Sequence, residues 1–118
     1  SKEKLNSIIE RTRKGGAEII KFLEKGSAFY APAASGVEMA ESYLKNLKKL
    51  LPCAAYLNGE YGVDKIYAGV PVVIGSKGVE KIKEFQLNEL EKREFENSIN
   101  AVKELWKAAC KIDGDLIK

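Results

Sequence analysis

The sequence predicts an α+β fold in which helices are segregated from a three-stranded antiparallel sheet. Apolar residues recur every three or four positions near both ends of the chain, which is typical of amphipathic helices. Short apolar runs bounded by turn residues fill the middle third, which is typical of strands joined by hairpins. The length of 118 residues, with 45% apolar and 31% charged residues, fits one globular domain rather than a disordered chain.

The first helix is predicted from Lys2 to Lys25. Its apolar stripe continues across Gly15 and Gly16, so the pattern favours one helix that can bend at this pair. Two interior glycines cost about 1 kcal/mol each relative to alanine. Two explanations stay open: a kink or close helix crossing, or the approach of a ligand or mobile loop. The stripe consists of Leu5, Ile8, Ile9, Thr12, Gly16, Ile19, Ile20 and Leu23.

A second helix is predicted to follow Gly26, which is expected to end the first one. Pro32 fits its first turn because proline has no N–H to donate. Nearly all the residues from Gly26 to Gly36 are small, which lets the backbone there approach another helix or a bound molecule. The predicted apolar stripe of this helix is Ala33, Val37, Ala40, Leu44 and Leu47.

Three strands are predicted at Leu50–Leu57, Ile66–Ile74 and Val79–Leu87. The last range also has helical spacing, but the turn Gly75–Gly78 favours a hairpin with the second strand. Each proline in the strands, at positions 52 and 71, lacks an N–H. Each is therefore expected at a strand start, an edge or a bulge.

The last helix is predicted from Glu89 to Lys111, because Asn88 and Glu91 form a capping-box signature. Trp106 on its apolar face is expected in the core, or at a partner interface if nothing covers that face. The face consists of Phe95, Ile99, Val102, Leu105, Trp106 and Ala109.

The chain contains no histidine. This excludes Ser-His-Asp and Cys-His nucleophiles and imidazole metal ligands built from this chain alone. The carboxylate pairs Glu38–Glu41 and Glu91–Glu94 have basic neighbours and are expected to be solvated. The turn Gly75–Gly78 lacks the spacing of a phosphate-binding loop. The sequence therefore predicts no catalytic residue and no metal site in this chain.

The charges alternate in sign along the chain and sum to +3. With no basic stripe or stacking aromatic motif, neither nucleic acid nor a membrane is an expected partner. Cys53 and Cys110 lie far apart among apolar residues, and no signal-peptide pattern is present. These features predict reduced core thiols and a cytoplasmic location.

Six segments are similar to the sequences of one enzyme family. They are Glu10–Ile19, Gly26–Ser35, Met39–Glu41, Leu51–Leu57, Gly59–Val63 and Gly69–Gly75. On these segments the chain resembles the lactate-dehydrogenase-like malate dehydrogenases, and Gly26–Ser35 (GSAFYAPAAS) is the most specific of them. The family's glycine fingerprint and histidine motif are absent. The resemblance thus implies the C-terminal substrate-binding domain over residues 1–118, without the N-terminal NAD-binding Rossmann domain.

This resemblance implies that the complete protein is an NAD-dependent enzyme that converts malate to oxaloacetate, with the isolated domain inactive. The implied partners are malate or oxaloacetate, the N-terminal Rossmann domain, and further copies in a dimer or tetramer. The alternative is a stand-alone α+β interaction or oligomerisation module without enzymatic activity.

The resemblance also assigns roles to four residues. Ala28 corresponds to the pocket wall near the distal group of the substrate, where a small residue leaves room for a second carboxylate. Gly15 and Gly16 face the substrate pocket or its lid. Pro32 packs near the nicotinamide ring of NAD. Simple backbone packing is the competing explanation for all four.

Overall fold

The structure is a computed structural model that describes residues 1–117, with two compact units, Ser1–Ala40 and the part from Glu41 onward. The α+β class and the three-stranded antiparallel sheet are confirmed. The elements are helices α1 (Lys2–Arg13), α2 (Gly15–Leu23), α3 (Tyr30–Leu44) and α4 (Glu89–Ile112), strands β1 (Lys49–Asn58), β2 (Asp64–Gly75) and β3 (Gly78–Ile82), and 3-10 turns at Glu60–Gly62 and Gly114–Ile117.

The first predicted helix, Lys2–Lys25, is two helices in the structure. Lys14 departs from helical geometry, with φ −97° and ψ 2°. Main-chain hydrogen bonds with helical spacing end at Lys14 from both sides, from Lys14 N to Glu10 O at 3.2 Å and from Glu18 N to Lys14 O at 2.9 Å. The spacing of apolar residues every three or four positions continues past the break, because the hydrogen bonds on both sides keep the helical spacing. No residue of α1 or α2 is buried.

The predicted stripe of the second helix does not form a buried face. Val37 and Leu44 are 68% and 78% exposed, and Leu47 lies beyond the end of α3. The buried residue of α3 is Ser42. Its hydroxyl donates to Ile74 O at 2.7 Å and accepts from Lys49 N at 3.2 Å. These two bonds fix the end of α3 to the sheet.

The sheet has the order β1-β2-β3, and its side chains alternate between two faces. One face of β1 and β2 packs with Ile99 of α4 in the core. Partly buried neighbours, among them Cys53 and Phe95, complete this layer. The buried apolar residues are Ala55, Leu57, Ala68, Val70, Val72, Ile74 and Ile99.

Pro52 and Pro71 lie directly opposite each other in the β1–β2 ladder. Residues opposite each other in an antiparallel pair exchange either both hydrogen bonds or none. Two prolines can only form a pair that exchanges none, so their main-chain groups point away from each other. The main-chain groups of Pro52 point to the unpaired outer edge of β1, so the predicted edge position is confirmed for this proline. Pro71 lies in the central strand just past the end of β3, where its carbonyl accepts from Lys83 N at 2.8 Å.

The third strand is shorter than predicted, because β3 ends at Ile82 and not at Leu87. Tyr61 explains this end. Its hydroxyl donates to Lys83 O at 2.8 Å and accepts from Phe85 N at 3.2 Å, so the chain leaves the ladder. The predicted hairpin is confirmed by the pairing of Gly75 with Gly78.

The capping box of α4 is also confirmed. The Asn88 side chain accepts from the main-chain N–H groups of Leu90 and Glu91, and the Glu91 carboxylate accepts from Asn88 N at 2.8 Å. This local signal placed the start of α4 correctly.

Candidate functional site

Ala28 lies in a tight loop that precedes α3, and it is half-buried. Gly26 has a φ of +93° and Phe29 a φ of +40°. The Phe29 ring lies so close to Gly26 that a Cβ on Gly26 would overlap its Cζ atom. Ser27 Oγ accepts from Phe29 N at 3.3 Å. The conformation of the loop around Ala28 is therefore determined by contacts among Gly26, Ser27 and Phe29.

Pro32 lies in the first turn of α3, as predicted, and is exposed. A helical hydrogen bond at the start of α3 runs from Ala33 N to Phe29 O at 3.1 Å. The N–H groups before Ala33 have no partner within the helix, so a proline at position 32 removes no helical hydrogen bond.

Gly15 and Gly16 begin α2, directly after the break at Lys14. A Cβ at either position would meet no atom within 4 Å. Among residues 1–117 the pair thus accompanies a kink, but not a close helix crossing. The space beside both glycines is open.

Gly15 lines a shallow depression of about 430 Å³. Beside it, Arg11 holds the Glu18 carboxylate with two hydrogen bonds, from Nη2 to Oε1 at 2.8 Å and from Nε to Oε2 at 3.1 Å. These hydrogen bonds, together with the attraction between the two charges, lower the pKa of Glu18 and raise the pKa of Arg11. The other lining residues are Ile8, Thr12, Ile19 and Phe22.

The four predicted site residues lie on three separate elements. Gly15 and Gly16 are on α2, Ala28 is in the loop, and Pro32 is on α3. The depression beside Gly15 includes none of the other three. Their assignment to one substrate site stays a prediction.

Other side chains with reactive groups have structural surroundings that account for them. Glu41 binds Lys45 Nζ at 2.7 Å and Lys49 Nζ at 3.6 Å, which lowers its pKa. Burial raises the pKa of the Cys53 thiol, and neither Cys53 nor Cys110 forms a disulfide. Among residues 1–117 no group of three or more acidic or cysteine side chains has metal-binding geometry. No described helix combines the length and the apolar character needed to cross a bilayer.

Sequence reasoning missed a second concave surface, between β2 and α4. Leu105 is 70% exposed and Trp106 is 53% exposed, so Trp106 lies outside the core. The expected core position of Trp106 is therefore wrong, and a partner interface at this face stays a prediction. We call this surface the Trp106 groove; its volume is about 610 Å³. Its residues are Tyr56, Asp64, Lys65, Ile66, Tyr67, Val102, Lys103, Leu105, Trp106 and Ala109.

Comparisons with known proteins agree on one family. The family model described as lactate/malate dehydrogenase, alpha/beta C-terminal domain, matches residues 1–112. A malate dehydrogenase from Pelagibacter ubique is 70% identical over 118 residues, which is 100% of this chain and 37% of that protein. The chain thus spans little more than a third of this curated relative.

Two solved structures show the same fold. A lactate dehydrogenase from Eimeria maxima, solved with NADH and oxamate, matches with a TM-score of 0.91 and 46% identity, over 97% of this chain and 36% of that one. A malate dehydrogenase from Cryptosporidium parvum matches with a TM-score of 0.84 and 47% identity, over 87% and 33%. Both relatives extend well beyond the matched part.

Proposed function

Because this chain belongs to the lactate/malate dehydrogenase alpha/beta C-terminal domain family, we propose that it is the substrate-binding domain of an NAD-dependent malate dehydrogenase. The complete protein would oxidise malate to oxaloacetate reversibly. The identity of 70% and 56% to two curated malate dehydrogenases supports a four-carbon diacid as the substrate.

Ala28 carries the physical argument for this substrate. It is small and half-buried, in a loop whose shape is set by the contact of Phe29 with Gly26. A small side chain at a pocket wall leaves room for the second carboxylate of a diacid, whereas a larger one would narrow the pocket. The open space beside Gly15 and Gly16 suits the approach of the substrate or of a lid.

Among the described residues, Pro32 supports an apolar contact with NAD. Pro32 is exposed and presents a ring without an N–H, which suits the face of a nicotinamide and the exclusion of water from it. The turn Gly75–Gly78 is a hairpin turn, so it offers no phosphate cradle. The phosphate-binding groups would come from an N-terminal Rossmann domain. When bound, NAD supplies the hydride acceptor.

The remaining parts of the proposal concern assembly and location. Exposed apolar side chains on α3, such as Val37 and Leu44, support further protein contacts in a dimer or tetramer. The two cysteines are half-buried and not joined in a disulfide, which suits a reducing compartment, and we propose the cytoplasm.

The reaction is tested by joining this chain to the remaining part of the protein. The joined protein should oxidise malate with NAD, and the 118-residue chain alone should not. Turnover by the chain alone would show that catalytic groups lie within it. A folded joined protein without activity would favour a non-enzymatic interaction module.

The substrate assignment is tested in the joined protein by Ala28→Thr. We expect kcat/KM for oxaloacetate to fall about tenfold or more relative to pyruvate, because the larger side chain narrows the diacid pocket. Ala101→Thr, at an exposed position of α4, is the matched control and should leave the ratio unchanged. An unchanged ratio in Ala28→Thr would contradict the placement of Ala28 at the pocket wall.

A further inference from the structure

Phe29 is a large residue in a loop of small ones. Apart from Tyr30, its neighbours between Gly26 and Ser35 are serine, alanine and proline. The backbone of Phe29 has a φ of +40°, in the left-handed region that bulky residues rarely adopt. A glycine would adopt this conformation without strain. The reason for a phenylalanine at this position therefore lies in its side chain.

Core packing does not supply that reason. Phe29 is 54% exposed, and none of residues 1–40 is buried. Its ring instead contacts Gly26, where the Cζ atom occupies the place that a Cβ would take. Gly26 itself has a φ of +93°. The ring of Phe29 therefore stabilises the conformation of this loop rather than a core.

The main chain of Phe29 joins the loop to α3. Its N–H donates to Ser27 Oγ at 3.3 Å, and its carbonyl accepts from Ala33 N at 3.1 Å. The first bond holds Phe29 within the loop, and the second makes it part of the first turn of the helix. Strained backbone persists only where several contacts hold it, and it is concentrated at active sites and ligand-binding segments.

Phe29 lies between two residues to which the proposed function gives a role. Ala28 precedes it directly, and Pro32 follows three positions later, in the first turn of α3. The φ angle of Phe29 sets the direction in which the chain passes from Ala28 into the helix. A change at Phe29 would therefore move Ala28 relative to Pro32 without altering either residue.

We propose that Phe29 is a positioning residue of the substrate pocket. Its ring on Gly26 and its left-handed backbone hold Ala28 where the second carboxylate of a diacid fits. Phe29 acts through Ala28 and needs no contact with the substrate. This inference rests on the proposed function, which places Ala28 at the pocket wall.

NMR of the joined protein with isotope-labelled glycine tests the contact itself. An aromatic ring beside Gly26 shifts the resonances of its Hα protons, and Phe29→Ala should abolish this shift. Tyr30→Ala is the matched control, because it removes a neighbouring aromatic side chain at an 87% exposed position, and it should leave the shift in place. Gly26 resonances that do not change in Phe29→Ala would overturn the proposal.

Substrate selectivity of the joined protein tests the positioning role. Phe29→Ala should lower kcat/KM for oxaloacetate about tenfold and that for pyruvate much less, because pyruvate has no second carboxylate to place at the wall. Phe29→Gly permits the left-handed backbone but lacks the ring, and it should have the same effect. Tyr30→Ala should leave the ratio of the two values unchanged. A wild-type ratio in either Phe29 variant would overturn the proposal, since a merely structural role lowers both values equally.

A double variant tests whether Phe29 acts through Ala28. When Ala28→Thr is combined with Phe29→Ala, the fall in the ratio should be smaller than the product of the two single effects, because both changes disturb the same wall. Independent effects would overturn the inference.

The two proposals fail in different ways. A joined protein that does not oxidise malate would overturn the proposed function and this inference with it. A lowered ratio in Ala28→Thr together with a wild-type ratio in the Phe29 variants would overturn this inference alone.

Discussion

At the scale of single residues, Ser42 is the buried polar side chain that ties α3 to the sheet. It is 0% exposed, and its hydroxyl both donates to Ile74 O and accepts from Lys49 N. A buried polar group contributes to the free energy of unfolding mainly through hydrogen bonds with other buried groups. Without these bonds, its partners would have lost water and gained no replacement.

We expect Ser42→Ala to lower the free energy of unfolding by about 1–3 kcal/mol, because it removes a buried donor and acceptor together. Urea denaturation followed by circular dichroism measures the change. Ser35→Ala is the control, since the Ser35 hydroxyl bonds to Ala31 O on an exposed helix face and its loss should cost less than about 0.5 kcal/mol. Equal losses in both variants would contradict the role of Ser42.

Residue-level prediction from sequence succeeded where the interaction is local. Asn88 and Glu91 are three positions apart, so their capping box can be read directly from the sequence. Ser42 and Ile74 are separated by 32 positions, so no pattern in α3 indicates their bond. The roles of Ala28 and Pro32 were assigned by resemblance alone, and they stay predictions.

At the scale of elements, the break between α1 and α2 is spanned by one ion pair. Arg11 on α1 and Glu18 on α2 bind each other at 2.8 Å, with Lys14 between them. Because the pKa of Glu18 is lowered, the pair stabilises the helices above the ordinary pKa of a glutamate. This contribution is lost as the pH falls through the lowered pKa.

Arg11→Gln should return the pKa of Glu18 toward its ordinary value, because the neutral amide no longer stabilises the carboxylate. The titration of the Glu18 carboxyl carbon by NMR measures this shift. Arg13→Gln is the matched control, because Arg13 lies 3.5 Å from Glu10 and has no contact with Glu18 among the described ion pairs. Identical Glu18 titrations in both variants would show that Arg11 does not set this pKa.

The errors in element prediction have a common physical cause. Periodicity predicted one helix where the structure has α1 and α2, because the spacing of apolar residues does not change at the break at Lys14. The end of β3 depends on Tyr61, which lies 22 positions away from Lys83. The apolar stripe of α3 is exposed. Periodicity identifies an apolar helix face, but it does not show whether that face is covered.

At the scale of the whole chain, the two compact units differ in how their apolar residues are buried. The buried core belongs to the sheet and to Ile99. Residues 1–40 contribute no buried residue. The free energy of local unfolding increases with the number of buried apolar contacts. We therefore expect the two units to unfold separately.

Hydrogen exchange of the 118-residue chain should show this difference. Amides of β1 and β2 that pair across the ladder should exchange slowly, and those of α1 and α2 rapidly, because the helices bury no side chain. Exchange of the chain in denaturant gives the reference rates. Equal protection of the helices and the sheet would contradict the expectation.

The pair of opposed prolines has a consequence for solutions at high concentration. An exposed edge strand seeds fibrils by offering an unbroken row of N–H donors to the next chain. On the outer edge of β1 the groups of Leu50, Pro52, Ala54 and Tyr56 point outward, and the proline interrupts the row near its middle. An incoming strand can extend past Pro52 only with one of its carbonyls left unbonded, which makes the first step of fibril growth on β1 unfavourable.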